Sequence, residues 1–130
     1  MISPTPPSHP RERLERSETL RSTKDYRRCY ASGRRKGGSF LLLYVLPNET
    51  GAPRLGLTAS GKVGGSVVRH RLKRWARETY RRWGRRTELP ALDMVVHFKP
   101  EAGKAEFDKF RVELERLLAA QLPKIHETRA

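Results

Sequence analysis

The sequence of 130 residues contains a single cysteine, Cys29, which excludes an internal disulfide framework and a zinc site built from several cysteines. It also lacks any run of about 18 apolar residues, so we predict no transmembrane helix. Its longest apolar segment, Phe40–Leu46, has only the length of a strand. Its first residues are polar and rich in proline, without the apolar core of a secretory signal. These absences predict a cytoplasmic protein in a reducing compartment.

Acidic residues are scarce where basic residues are dense. The chain has 28 Lys and Arg against 14 Asp and Glu, a net charge of +14. Residues 62–86 hold ten basic residues and one acidic residue, Glu78, whereas residues 87–130 have a net charge of −1. Such a local patch predicts a polyanionic partner. Arginine predominates in the patch and favours nucleic acid, because guanidinium groups pair with phosphate and stack on bases. An anionic membrane surface is the weaker alternative.

Composition divides the chain into three parts. Residues 1–19 combine four prolines with a charged run, which predicts a disordered basic extension. Residues 20–122 hold the apolar residues of one domain, and residues 123–130 are predicted to form a flexible tail. No internal repeat occurs.

Capping and turn residues predict three helices and three strands within the domain. Ser22 or Thr23 is expected to cap a first helix that ends at Gly33, and Ser66 to cap the second. The first two strands are expected to pair as a hairpin, and the second and third to run parallel on either side of the second helix. The order is αββαβα, an α+β sandwich with a small sheet. The predicted segments are a helix to Ser32, a basic loop at 34–38, strands at 40–46, 54–60 and 92–98, and helices at 66–83 and 104–122.

The second helix is predicted to be apolar on one side and cationic on the other. Its spacing fits a period of 3.6 residues. The apolar stripe consists of Val68, Leu72, Trp75, Ala76, Thr79 and Trp83. The opposite side carries His70, Lys73, Arg74, Arg77 and Arg81, with Arg69 and Arg71 flanking the stripe.

Residues for catalysis by the protein itself are not evident. The four histidines form no spaced metal-binding pair, and His97 is expected to be a hydrogen-bonded histidine of a strand. No G-x-S-x-G nucleophile motif is present. The glycines of Gly61–Ser66 allow a phosphate to approach the backbone, but the loop is neither a P-loop nor placed like the GxxG loop of a KH domain.

The segment from Gly56 to Glu78 resembles the signature of the bacterial ribonuclease P protein family. It combines the Gly-rich loop with the run Arg69-His70-Arg71-Leu72-Lys73-Arg74, followed by Arg77-Glu78. Tyr26, Tyr30 and Tyr44 also match aromatic positions of the family, and the resemblance covers about residues 20–121. Three positions depart from the family pattern, where Gly61 replaces Lys and Gly65 and His70 each replace Asn.

The resemblance implies a two-layer αββαβα sandwich with a small central sheet and a left-handed β-α-β crossover, a fold also found in a ribosomal protein. It implies the small subunit of ribonuclease P, an endonuclease that removes the 5′ leader of precursor tRNA. A partner RNA would perform the hydrolysis with Mg²⁺ that is held mainly by RNA. The expected partners are ribonuclease P RNA and precursor tRNA, without DNA or membrane, and the protein alone is expected to be monomeric.

The resemblance also implies site residues. The expected contacts to the catalytic RNA are Arg69, His70, Arg71, Lys73, Arg74 and Arg77. A cleft between the first helix and the sheet is expected to hold the leader, with Tyr26, Tyr30, Tyr44 and Lys62. Secondary basic contacts are expected from Arg34, Arg35, Lys36 and Arg81. Without the resemblance, the helical spacing of Tyr26 and Tyr30 favours a role in the core.

Three other functions fit the sequence less well. A ribosomal or ribosome-assembly protein shares the basic composition but is not expected to carry the arginine signature after a Gly-rich loop. A DNA-binding regulator needs base-reading side chains on its recognition helix, where this sequence has few Asn or Gln. A protein-only nuclease needs clustered carboxylates for metal ions, and the sequence offers none.

Overall fold

A computed structural model describes Leu14 and residues 16–123 of the chain. Its three helices are α1 (Thr23–Ser32), α2 (Ser66–Arg82) and α3 (Phe107–Ala119). Its four strands are β1 (Arg34–Gly37), β2 (Leu41–Pro47), β3 (Arg54–Thr58) and β4 (Leu92–Phe98). Short 3-10 segments occupy Arg16–Glu18, Arg86–Glu88 and Pro100–Lys104. None of the helices in this part of the chain is long and apolar enough to cross a bilayer.

The strands form one sheet in the order β1-β2-β4-β3. The predicted hairpin between the second and third of these strands is wrong, because β4 lies between them. β4 pairs antiparallel with β2 and parallel with β3, so the predicted β3-α2-β4 crossover is confirmed. Six of the seven residues of β4 are buried, which suits a central strand better than an edge.

The basic segment Arg34–Gly37 is an edge strand, not the predicted loop. It pairs antiparallel with β2, with Arg35 opposite Tyr44. Its charged side chains are exposed, which an edge strand tolerates and which discourages pairing with another chain. The turn that follows is held by Glu113 of α3, whose buried carboxylate accepts hydrogen bonds from the amides of Ser39, Phe40 and Leu41 at 2.7–2.8 Å.

The helix ends agree with the sequence for α1 and differ for α2 and α3. Ser22 caps α1, since its Oγ accepts a hydrogen bond of 3.0 Å from the Asp25 amide. The N-cap of α2 is Gly65, which offers no side chain, so the predicted cap at Ser66 is wrong. Helix α3 is shorter than predicted at both ends, because the 3-10 segment Pro100–Lys104 and two non-helical residues precede it and it ends at Ala119.

Apolar side chains cover both faces of the sheet. The larger core lies under α2 and α3 and contains Leu43, Met94, Phe98, Leu72 and Phe110. A smaller cluster of Leu20, Cys29 and Val95 lies under α1 on the opposite face. The α+β class and the small central sheet are confirmed, and α1 adds a partial third layer to the predicted two-layer sandwich.

The predicted stripe of α2 is partly displaced. Leu72, Ala76 and Thr79 are buried, but the aromatic residue buried most deeply is Tyr80, which the pattern omitted. Trp75 and Trp83 pack against the core from half-buried positions.

The predicted domain boundaries lie close to the limits of the described residues. Residues 1–13 and 15 of the expected extension, and residues 124–130 of the expected tail, fall outside them. The end of the extension is ordered, since Arg16–Glu18 forms a 3-10 turn and Thr19 bridges to Leu55. The Leu20 amide donates to the Leu55 carbonyl at 2.9 Å, so the chain is already bonded to β3 at residue 20, where the domain was predicted to begin.

Candidate RNA-binding surfaces

A cluster of polar and aromatic side chains lies where α1 crosses the sheet. The register brings Thr58 of β3 and His97 of β4 side by side, and Tyr44 of β2 lies on the same face. Tyr30 of α1 reaches all three. Its ring centroid is 4.6 Å from that of Tyr44 and 5.8 Å from that of His97. We refer to Tyr30, Tyr44, Thr58 and His97 as the tyrosine cluster.

Hydrogen bonds fix the polar atoms of the tyrosine cluster. The Tyr30 hydroxyl lies 2.6 Å from Thr58 Oγ1 and 3.0 Å from His97 Nδ1, and the latter two atoms are 3.1 Å apart. Burial raises the pKa of Tyr30 and lowers the pKa of His97. Both shifts favour the neutral form of each side chain at neutral pH. Tyr30 keeps 37% of its surface exposed, so it is available to a ligand.

Tyr26 forms a wall beside the cluster and is partly structural. Its hydroxyl accepts a hydrogen bond of 3.2 Å from the Leu57 amide and lies 3.4 Å from the Leu20 carbonyl oxygen. Its ring covers Gly56, where an added Cβ would come within 2.7 Å of it. Gly56 therefore allows α1 to approach the sheet closely.

Lys62 is not brought into the tyrosine cluster. It is exposed in the turn between β3 and α2, where its amide donates to Ser60 Oγ at 3.3 Å. It lies instead near the start of α2, whose N-cap makes no side-chain hydrogen bond.

The predicted contact residues of α2 differ in their exposure to solvent. His70, Arg74 and Arg77 are exposed, and Arg69, Lys73 and Arg81 are half-buried. We call these six residues the basic face. Arg71 differs from the prediction, because its guanidinium stacks 5.1 Å from the Trp75 ring centroid and donates to the Gly103 carbonyl at 3.2 Å. Arg71 thus fixes α2 against the segment that precedes α3.

Tyr26 and two residues of the basic face meet in one cavity of about 240 Å³. Lys73 and Arg77 of α2 line it together with Tyr26 and Leu57. Leu14, Thr19 and Leu20 also line it. Tyr26 of the expected leader cleft therefore lies in the same cavity as Lys73 and Arg77 of the basic face.

The secondary basic residues lie elsewhere. Arg34, Arg35 and Lys36 are exposed on the edge strand β1, at the opposite end of the sheet from β3. Arg81 is half-buried on α2. The structure does not gather these four residues into one site.

The buried carboxylate of Asp93 is engaged in structural contacts. Asp93 is fully buried, where Arg54 binds both of its oxygens at 2.7 and 2.8 Å and Asn48 donates at 2.9 Å. Burial alone would raise the pKa of Asp93, but these hydrogen bonds outweigh it and lower the pKa. Within residues 16–123, no three His, Cys, Asp or Glu side chains lie close enough together to hold a metal ion.

A family model described as Ribonuclease P matches residues 14–121. The chain belongs to the ribonuclease P protein family. The ribonuclease P protein component of Desulfovibrio desulfuricans is 39% identical over 118 residues, which cover 85% of this chain and 89% of that protein. The component of Lachnoclostridium phytofermentans is 43% identical over 65 residues, which cover 50% of this chain and 56% of that protein. The Staphylococcus aureus RNase P protein structure superposes with a TM-score of 0.72 at 25% identity and covers 79% of this chain and 94% of that one.

Two of the departures from the ribonuclease P protein pattern are glycines that the backbone does not require. An added Cβ at Gly61 or Gly65 would meet no atom within 4 Å, and neither has a positive φ. The third departure, His70, is exposed on α2.

Thr58 and His97 are site residues that sequence reasoning missed. His97 is a hydrogen-bonded strand histidine, as expected, but its partners are Tyr30 and Thr58 of the tyrosine cluster. The parallel register of β3 and β4 brings these two residues together, and no local sequence pattern reveals that register.

Proposed function

We propose that this chain is the protein subunit of ribonuclease P and assists a catalytic RNA in the endonucleolytic removal of the 5′ leader from precursor tRNA. The basic face of α2 binds the catalytic RNA, and the tyrosine cluster with Tyr26 binds the single-stranded leader. The observation that carries this proposal is the cavity in which Lys73 and Arg77 meet Tyr26. A leader strand that is bound to the tyrosine cluster continues past Tyr26 towards the basic face, which holds the catalytic RNA.

The tyrosine cluster suits a leader of variable sequence. Stacking of a base on an aromatic ring contributes about 1–3 kcal/mol and tolerates every base. The exposed ring of Tyr30 offers such a platform, and its hydrogen bonds to Thr58 and His97 hold it in place before the leader arrives. Little side-chain entropy is then lost on binding.

The basic face acts by electrostatics and position. Its cations lie close to two polyanions and reduce their mutual repulsion, so the complex forms at a lower Mg²⁺ concentration. Release of counterions from the RNA makes the affinity fall as the salt concentration rises.

Hydrolysis is assigned to the RNA, and Mg²⁺ is held mainly by RNA. The two buried carboxylates nearest to the sheet support this assignment, because Asp93 binds Arg54 and Asn48 while Glu113 binds three backbone amides. The protein's own residues bind and orient RNA. The free protein is monomeric and cytoplasmic, without DNA or membrane as a partner.

Cleavage of precursor tRNA by a bacterial ribonuclease P RNA at low Mg²⁺ tests the proposal, with the protein present, absent and alone. We expect cleavage only when both components are present. Cleavage by the protein alone would contradict the assignment of hydrolysis to RNA. An unchanged rate with the protein would instead favour a ribosomal RNA-binding role.

A further inference from the structure

A second groove lies on the face of the sheet opposite the tyrosine cluster. It has a volume of about 740 Å³, against about 240 Å³ for the cavity that Lys73 and Arg77 line. One wall is β1, the floor is formed by Leu43, Val45 and Leu92, and the far wall is the segment 120–122 that follows α3, with Pro90. We call it the β1 groove.

The β1 groove is lined by three cations and no acidic residue. Arg34, Arg35 and Lys36 all line it. Directly paired residues of antiparallel strands point to the same face. The pairing of Arg34 with Val45 and of Lys36 with Leu43 therefore directs Arg34 and Lys36 over the floor.

These cations lack internal partners. In the part of the chain that the structure describes, no ion pair or side-chain hydrogen bond involves Arg34, Arg35 or Lys36. The C-terminal end of α3 contributes only a partial negative charge nearby. The two full charges over the floor, those of Arg34 and Lys36, thus exceed what the fold neutralises there, whereas Arg35 pairs with Tyr44 and points to the opposite face.

We propose that the β1 groove binds the sugar-phosphate backbone of an RNA strand. Cations two residues apart on one strand are about 7 Å apart and can contact separate phosphates. The apolar floor and the side of Pro90 offer contact to sugars or bases. This inference rests on the proposed function and adds a second contact surface to it.

The chain's own C-terminal segment is a poor occupant by charge. Residues 124–130 contain Lys124, Arg129 and a single acidic residue, Glu127, so their side chains have a net positive charge. An RNA strand is complementary to the groove, whereas this segment is not.

The β1 groove lies at the opposite edge of the sheet from the cavity with Lys73 and Arg77. Strand order places β1 three strand spacings from β3, or about 14 Å, and β3 borders the cavity with Lys73 and Arg77. The protein therefore contacts RNA at both edges of its sheet. The second strand belongs either to the catalytic RNA or to precursor tRNA, and the experiment distinguishes these sources.

The test compares two charge-matched double variants of the full chain. Arg34→Gln with Lys36→Gln removes two cations of the groove. Lys24→Gln with Lys109→Gln removes two exposed cations from α1 and α3, outside both RNA-binding surfaces. Affinities for ribonuclease P RNA, and of the holoenzyme for precursor tRNA, are measured over a range of salt concentrations, and thermal unfolding checks that both variants fold.

We expect the groove variant to bind one of the two RNAs about tenfold more weakly than the control near 0.1 M salt. Its log–log salt slope should decrease in magnitude by about 1.4–1.8, the value for two phosphates. The RNA whose affinity changes is the occupant. Equal affinities and slopes for the two variants would overturn the proposal, as would a loss fully accounted for by lower stability.

Crosslinking gives an independent measurement. The only native cysteine, Cys29, is buried, so Lys36→Cys provides a single reactive thiol for a photo-crosslinker. We expect it to crosslink to RNA in the holoenzyme, while Lys109→Cys does not. If deletion of residues 124–130 abolishes the difference between the double variants, the groove cations act through that segment and the proposal fails. If the wild-type protein stimulates cleavage and the groove variant stimulates it equally well, only the proposal for the β1 groove is refuted. If the wild-type protein does not stimulate cleavage, the proposed function itself is refuted.

Discussion

The hydroxyl of Tyr30 lies 3.0 Å from Nδ1 of His97, so a helix residue and a strand residue 67 positions apart share a hydrogen bond. Thr58 joins both groups and completes a set of three polar atoms under an exposed ring. This arrangement holds the Tyr30 side chain in one orientation. It also makes separable predictions for the ring, the hydroxyl and the imidazole.

Replacement of Tyr30 is expected to affect substrates that carry a leader. Tyr30→Ala should weaken holoenzyme binding of leader-bearing precursor tRNA by about 1–2 kcal/mol, because one stacking platform is lost. Tyr30→Phe keeps the ring and should lose less. Affinities for substrates with and without a leader are compared, and equal losses for both would indicate a role in the core.

His97 is expected to make stability depend on pH. Burial lowers its pKa below the ordinary value of 6.5, so the unfolded chain binds the proton more readily. The stability from neutral His97 is present above pH 6.5 and is lost as the pH falls towards the folded-state pKa. His97→Leu should flatten the decrease in unfolding free energy between pH 7.5 and pH 5.5. Denaturant unfolding at both pH values measures this, and an equal decrease in the variant would contradict it.

The fold was predictable where local signals and packing agree. Ser22, Asp25 and Gly33 delimit α1 as their types suggest, and α2 follows the helical period of its apolar residues. The strand order was not predictable, because β2 is apolar on both faces and suits either neighbour equally well. β1 was not predicted, because its charged residues show no alternation of apolar and polar side chains. The turn that joins it to β2 is held by Glu113, which lies 72 to 74 residues further along the chain.

The sequence indicated which residues belong to the site better than it indicated what each of them contacts. The spacing on α2 indicates which cations face away from the core, but it cannot indicate that Arg71 stacks on Trp75 and reaches Gly103. Likewise, the cluster around Tyr30 requires the register of β3 and β4 to bring Thr58 and His97 together. Long-range pairing, not local pattern, determines these roles.

Removal of either partner of the buried ion pair between Arg54 and Asp93 is expected to destabilise the fold strongly. Asp93→Asn should lower the unfolding free energy by about 3–5 kcal/mol, because Arg54 loses its buried partner. The lowered pKa of Asp93 means that its contribution is present above pH 3.8 and is lost as the pH falls through the folded-state value. Urea unfolding of the wild type and the variant measures the loss. A change below about 1 kcal/mol, typical of an exposed pair, would show that the pair is not buried in solution.

Glu113 is expected to hold the turn between β1 and β2. Its carboxylate accepts three backbone amides and lies so close to Gly38 that an added Cβ would collide with it. Glu113→Ala should cost about 2–4 kcal/mol, since the buried amides lose a charged acceptor. Hydrogen exchange should accelerate at Ser39 and Leu41 more than in β4. Uniform acceleration across the sheet would indicate global destabilisation instead.

Arg71 and Arg74, three residues apart on α2, are expected to separate stability from RNA binding. Arg71→Ala loses the stacking on Trp75 and the hydrogen bond to Gly103, so it should destabilise the protein by about 1–2 kcal/mol. Arg74 is exposed, so Arg74→Ala should change stability by less than about 0.5 kcal/mol. The same substitution should weaken binding to ribonuclease P RNA and reduce the salt slope by about 0.7–0.9, the value for one phosphate. Thermal unfolding and a salt titration of RNA binding measure both effects on both variants. If Arg74→Ala leaves the slope unchanged while Arg71→Ala reduces it in a folded protein, the RNA-binding side of α2 is the side that faces α3, and the basic face defined above is assigned to the wrong side of the helix.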